Sequence, residues 1–271
     1  MSFLKMNVEL LVIGNEILIG KTKDTNSNWM AKRITKYGHK VNRITTIGDE
    51  LDIIASTLQS ILERKPDIII TCGGLGPTFD DMTLKGVAQG LERELKKDEH
   101  AYESIKKAYK NAYEQGILKL KGMTAEREKM AYLPEGSTPL PNIRGTAPGA
   151  KIREKESTIF CLPGVPMEMK AMFKNVILPI LKDQQGKFVE KHFISMDVGE
   201  SPLAPFVSEL EETYPELWIK THPRVGLAVE VEISVTCFDV ENGEEMAEKV
   251  IEKLKKVVHD LDGKIKNNNN Q

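Results

Sequence analysis

Ile68-Ile69-Ile70-Thr71 runs directly into Cys72-Gly73-Gly74-Leu75-Gly76-Pro77-Thr78-Phe79-Asp80-Asp81-Met82-Thr83, and this join restricts the fold more than any other stretch. An apolar strand ending in a Gly-rich turn, with a helix expected from about Met82 to Leu91, is the signature of a βα unit in a sheet covered on both faces. Gly73, Gly74 and Gly76 let the backbone approach a ligand that Cβ atoms would hold off. The helix start behind them offers unpaired N–H groups and a positive dipole end to a phosphate. Asp80 and Asp81 suit a hard cation such as Mg²⁺ bridging to phosphate oxygens. An ordinary strand-to-helix turn, with Asp80 or Asp81 as cap, fits the same letters.

The flanking sequence repeats the unit. Val8–Ile13 is apolar except for Glu9, a helix reads from Asn28 to Tyr37, and Val41–Ile47 forms a second strand. Leu51, Ile54, Ala55, Leu58, Ile61 and Leu62 recur at helical spacing ahead of Pro66. The expectation is a doubly wound, mostly parallel α/β sheet over residues 1–183. Residues 99–115 read as an amphipathic helix. The Gly- and Pro-rich stretch Leu133–Gly149 reads as one long loop, of the kind that more often carries function. Thr158–Leu162 is a strand leading through Pro163-Gly164-Val165-Pro166 into a helix that ends near Leu181.

Composition shifts at Asp183–Lys187, taken as a linker. Beyond it lies a smaller α+β domain over 187–265, with strand, helix, two strands and helix in βαββα order: Phe188–Val198, Pro202–Thr213, Leu217–His222, Ala228–Phe238 and Glu244–His259. That order resembles a KH-type module. From Lys187 onward, however, 10 Lys and Arg face 17 Asp and Glu, a balance of −7, and no GxxG clamp occurs. Dimerisation or shaping of the cleft is the expected role, and no nucleic-acid partner. The tail 266–271 is expected to be disordered.

A net charge of −2, no run of membrane-spanning length and no signal-like start in Met1–Asn7 give the expectation of a cytoplasmic chain without membrane contact. Cys72, Cys161 and Cys237 lie far apart and the five histidines are scattered, so neither a disulfide framework, a zinc site nor histidine catalysis is indicated.

Four ordered segments carry a resemblance: Gly14–Gly20 with Asp24-Thr25-Asn26, Gly73–Thr83, Asn142–Gly149 and Leu162–Met169. Together they resemble the CinA family, whose N-terminal domain is related to the molybdopterin-binding domains of molybdenum-cofactor biosynthesis. The likeness spans about the first 180 residues, and Lys220-Thr221-His222-Pro223 is similar to the small domain that follows in that family. Full-length bacterial CinA proteins carry a further C-terminal nicotinamide mononucleotide deamidase domain that has no counterpart in this sequence, so that activity is not carried over.

The resemblance implies a phosphate-bearing small-molecule ligand, a nucleotide or pterin phosphate, at the carboxyl ends of the strands. It also implies a divalent metal ion and a homo-oligomer, dimer or trimer. The leading expectation is a metal-dependent pyrophosphatase acting on ADP-ribose-like compounds. The alternatives are a molybdopterin-type binding or adenylyl-transfer protein and a non-catalytic nucleotide sensor. Asp81 and Asp49 are the expected catalytic carboxylates, and Asp80, Asp81, Glu16 and Glu168 the expected metal ligands. Gly14, Asn26, Gly73, Gly74, Gly76 and Thr78 are expected to bind substrate, with Gly145, Ala147, Pro148 and Gly149 forming a loop wall. Bland roles stay open. Asp49 can cap the helix from Leu51, Asp24 or Asn26 the helix of Trp29, and Glu168 can answer a helix dipole.

Overall fold

The computed structural model describes residues 5–184, 186–224, 226 and 228–266. The chain divides into two compact units, one through residue 185 and the other from Gly186 onward. In the first unit the strands are β1 Asn7–Ile13, β2 Lys40–Ile47, β3 Ile68–Cys72, β4 Leu95–Lys97, β5 Tyr132–Pro134, β6 Thr138–Leu140, β7 Gly149–Glu154 and β8 Ser157–Leu162. Its helices are α1 Asn15–Leu18, α2 Asn26–Lys36, α3 Leu51–Glu63, α4 Thr83–Gly90, α5 Glu99–Glu114, α6 Ala125–Lys129 and α7 Pro166–Met172. The last continues through a π-helical turn, Phe173–Ile177, into α8 Leu178–Asp183.

The main sheet has the order β2-β1-β3-β8-β7-β6. β1 pairs parallel with both β2 and β3, and β3 with β8, while β7 and β6 add antiparallel at one edge. This is the doubly wound, mostly parallel α/β sheet that the sequence leads one to expect. Alternation within each strand feeds two layers. Leu11, Ile13, Ile69, Ile159 and Cys161 pack with Ile54, Leu58, Val87 and Ile105 on one face. Val8, Leu10, Ile68, Ile70, Phe160 and Leu162 pack with Met30, Ile34, Phe173 and Leu181 on the other. Both faces being covered explains why these strands are apolar throughout. Glu9 is the exception: at 3% exposure it lies against Arg64, whose Nε and Nη2 donate to its two carboxylate oxygens at 2.8 and 2.6 Å. His39 is likewise a satisfied core group, accepting from Met6 N and facing Leu181 O.

The supposed long loop over 133–149 holds β5 and β6 and ends as β7 begins. Strands of three residues that contain Pro134 or Pro139 carry no periodicity to read, and in β7 only Ala150 and Ile152 alternate inward among the side-chain-bearing positions.

The second unit contains β9 Phe188–Met196, α9 Glu200–Thr213, β10 Trp218–Arg224, β11 Glu230–Phe238, α10 Gly243–Asp260 and β12 Lys264–Lys266. Its sheet is antiparallel in the order β10-β11-β9-β12. The βαββα order therefore gains a closing strand. Lys266, assigned to the tail, pairs instead with Ile194. One apolar residue, Ile265, gave no strand signal. Residues 267–271, the rest of the expected tail, lie outside the described residues. Among the described residues no helix is long and apolar enough to cross a membrane.

Candidate functional site

β1 has β2 on one side and β3 on the other, so the chain reverses its winding direction between them. In open α/β sheets the crevice beyond the carboxyl ends of strands at such a reversal is where ligands bind. Here that crevice is a cleft of about 470 Å³. It is lined by the residues that follow β1 (Gly14, Glu16), β2 (Asp49), β3 (Gly73 to Thr78, Asp80, Asp81) and β8 (Pro163 to Pro166, Glu168), together with Asp24 and Asn26. Of the expected loop-wall positions, Ala147 lines it, beside Thr146, whereas Gly145, Pro148 and Gly149 do not.

The glycines have a more local purpose than a bare approach to ligand. At Gly73, φ is +116° and a Cβ would stand 2.1 Å from Ile13 O, so the end of β3 is pressed onto the end of β1. At Gly76 an added Cβ would meet Asp81 Oδ2 at 2.6 Å, at Gly14 it would meet Glu16 Oε1 at 2.7 Å, and at Gly145 it would meet the Glu168 carboxyl carbon at 2.2 Å. Three glycines thus make room for three carboxylates. Gly149 makes room for Cys161 O at 2.5 Å and belongs to the packing of β7 on β8.

Each carboxylate has a definite setting. Asp81 Oδ2 accepts from Thr78 N at 2.8 Å and from Thr78 Oγ1 at 2.6 Å, and Asp80 Oδ1 lies 2.5 Å from the same hydroxyl. A hydroxyl has one proton, so it serves one of the two carboxylates at a time. Hydrogen bonding from Thr78 holds Asp80 below the usual carboxylate range. Neither aspartate caps α4, which has no side-chain cap. Thr83 N donates to Gly74 O, so the first N–H of that helix is already used within the protein and not left for a phosphate.

Asp49 does not cap α3; its Oδ2 accepts from Asn15 N at 2.8 Å and so fixes the start of α1 beside β2. Burial pushes its pKa up, the Asn15 N–H opposes that, and repulsion from Glu16, Asp80 and Asp81 adds to the rise. Asp24, one residue ahead of the N-cap Thr25, accepts from Ser27 N at 3.0 Å, and α2 begins at Asn26, two residues ahead of the expected Asn28. Asn26 donates to Gly164 O at 2.7 Å and to Cys72 Sγ at 3.4 Å, tying α2 to the ends of β3 and β8. Its Oδ1 is buried without a protein partner. Cys72 is no nucleophile, because burial drives its thiol up to about 12.

The expected metal ligands Asp80, Asp81, Glu16 and Glu168 share the cleft without converging. Among the described residues no three His, Cys, Asp or Glu groups stand close enough together to hold an ion. Glu168 is engaged by Asn142 Nδ2 at 2.6 Å, and the two aspartates are engaged by Thr78. Asn142 sits in the segment Asn142–Gly149, where the sequence assigns it no role. Lys129 was missed outright: its Nζ donates to Thr78 O across 51 positions of sequence, a distance over which no local pattern operates.

Residues 9–183 match the family model described as "Probable molybdopterin binding domain". A protein of Pyrococcus abyssi is 41% identical over 91% of this chain and 95% of its own length. One of Aeropyrum pernix is 38% identical over 94% and 95%. The crystal structure of the protein CinA of Thermoplasma acidophilum, described as of unknown function, is 38% identical with a TM-score of 0.58, over 64% of this chain and 98% of that one. The chain belongs to the CinA family, and its first unit is a domain of the molybdopterin-binding type.

Proposed function

We propose that the cleft binds a pterin-phosphate-like or nucleotide anion together with a divalent cation, and that its chemistry is adenylyl transfer of the molybdenum-cofactor type. The observation that carries the reading is a charge imbalance. Six carboxylates line the cleft (Glu16, Asp24, Asp49, Asp80, Asp81, Glu168), against Lys23 among the described lysines and arginines. A phosphate entering such a cleft is repelled unless cations accompany it. The donor set is all oxygen, which fits a hard ion such as Mg²⁺. Asp80 and Asp81 would hold it, with Glu16 and Asp49 nearby. An incomplete protein shell is what such an ion usually meets, since phosphate oxygens and waters fill the remaining positions. When bound, the ion would neutralise charge building on the phosphoryl oxygens.

In adenylyl transfer the pterin phosphate oxygen bonds to the α-phosphorus of ATP and pyrophosphate leaves. The match of residues 9–183 to the molybdopterin-binding domain model supports this reading over hydrolysis of ADP-ribose. One observation favours the hydrolytic reading: an attacking phosphate oxygen needs no base, whereas water does, and Asp49 with its raised pKa suits a proton acceptor. Product analysis separates them. Protein, Mg²⁺, ATP and a pterin phosphate yield pyrophosphate under the first reading; protein, Mg²⁺ and ADP-ribose yield AMP and ribose 5-phosphate under the second. Binding of these compounds without either product leaves a sensor and rejects both.

A further inference from the structure

The strip Gly74–Asp81 has two sides, and only one belongs to the acidic cleft. The other side walls a second cavity of about 630 Å³, within the size range of small-molecule sites. Its lining includes Phe79, Met82, Leu84, Leu95, Met130 and Tyr132. Lys85 and Lys129 are the described cations in that lining. Gly74, Leu75, Gly76 and Asp81 are common to both cavities, so the two are neighbouring compartments.

The partition between them is a hydrogen-bonded turn. Asp81 N donates to Thr78 O at 3.2 Å, which leaves Phe79 and Asp80 as its two central residues. Asp80 lines the acidic cleft and Phe79 lines the apolar cavity. The turn is pinned from both sides, by Asp81 accepting from Thr78 and by Lys129 donating to Thr78 O. Phe79 stands at 87% exposure on this braced support. A lone exposed aromatic is ordinary. One carried on a pinned turn in the lining of an apolar cavity, next to a residue facing the proposed phosphate site, offers a free ring face for stacking.

We infer that the second cavity takes the planar heterocycle of the ligand whose phosphate end enters the acidic cleft, with the ring stacked on Phe79. This rests on the reading that the cleft takes a phosphate-bearing heterocycle. It adds where the ring goes and which side chain selects it. A ring is favoured over a docked protein segment because the cavity shares the Gly74–Gly76 and Asp81 wall with the proposed phosphate site, and because Lys85 and Lys129 are matched in its lining by Asp81 and Glu128, which leaves apolar surface as its main offer to a ligand. Purine and pterin present the same flat π-face, so both satisfy this site.

The test is calorimetric titration of the full chain and of Phe79→Ala, in Mg²⁺, with three probes: AMP, neopterin phosphate and ribose 5-phosphate. Loss of a stacking platform is expected to weaken the ring-bearing probe about 10-fold while leaving ribose 5-phosphate within about twofold. Phe79→Trp restores the loss. The probe with the larger Phe79 dependence identifies the heterocycle. The inference is overturned if all three probes weaken equally, if Phe79→Ala changes none of them, or if neither ring-bearing probe binds the unaltered chain. It is also overturned if sedimentation shows Phe79→Ala splitting an oligomer, which would make Phe79 part of an interface. Because the readout is binding, it can hold where product analysis detects no turnover, so the two proposals fail separately.

Discussion

Within β1, Glu9 is buried and receives two hydrogen bonds from Arg64. Beyond the carboxyl end of the same strand, Glu16 shares a cleft with Asp49, Asp80 and Asp81. Among the described residues none of these four has a lysine or arginine at ion-pair distance. Lys129 acts on Asp80 from further away and gives its own hydrogen bond to Thr78 O. The body of the sheet neutralises its charge internally, as a buried ion must. At the edge, on the reading proposed above, the charge is answered by a cation that arrives with the ligand. Stability and the proposed function are thus separated along a few residues of one strand.

The backbone junction between body and edge gives the largest expected effect. Gly73→Ala forces a side chain onto Ile13 O at positive φ. It is expected to cost more than about 3 kcal/mol in denaturant unfolding or to prevent folding. A cost below about 1 kcal/mol would show that the strand ends have slack. Next is Asp81→Asn, which keeps an acceptor for Thr78 N but removes charge. Turnover is expected to fall about 100-fold, as for loss of a group that stabilises transition-state charge. The midpoint of unfolding should barely move, and a large stability loss instead would place Asp81 with the body. In the body, Arg64→Met strands the Glu9 carboxylate and should cost about 2 kcal/mol, partly relieved because Arg64 is itself about one-third exposed. Kinetics should stay unchanged.

The smallest effect has the opposite sign. Asp49 has a folded pKa above its ordinary 3.8. Its contribution to stability is therefore complete below that pH and is lost as pH rises through the folded value. At pH 7 the ionised group is a burden. Asp49→Asn should raise the unfolding free energy slightly at pH 7, by at most about 0.5 kcal/mol, and not at pH 3, while reducing turnover. A drop in stability at pH 7 would mean that Asn15 depends on the charge and not merely on an acceptor.

How much of this the letters disclosed follows from the range over which each contact acts. β1, β3 and β8 are legible because coverage on both faces writes continuous apolar runs, and the glycine-rich turn after β3 announces the cleft. The roles of the individual glycines are not legible: Gly76 yields to Asp81 and Gly145 to Glu168, which only coordinates reveal. β4, β5, β6 and β12 are three-residue strands, two of them proline-bearing, and β7 buries only Ala150 and Ile152 among its side-chain-bearing positions, so local pattern misses them. The same holds for Lys129 on Thr78 and for Asn142 on Glu168. Phe79 was visible in the motif, but its assignment to the opposite face from Asp80 depends on the turn.

The central claim is that the edge carboxylates bind a phosphate only through a divalent cation, and calorimetry with AMP tests it most directly. AMP is titrated into the chain with Mg²⁺, with EDTA, and into Asp81→Asn with Mg²⁺. The account expects binding in the first case and at least about tenfold weaker binding in the other two. Equal affinity with and without Mg²⁺ would contradict it.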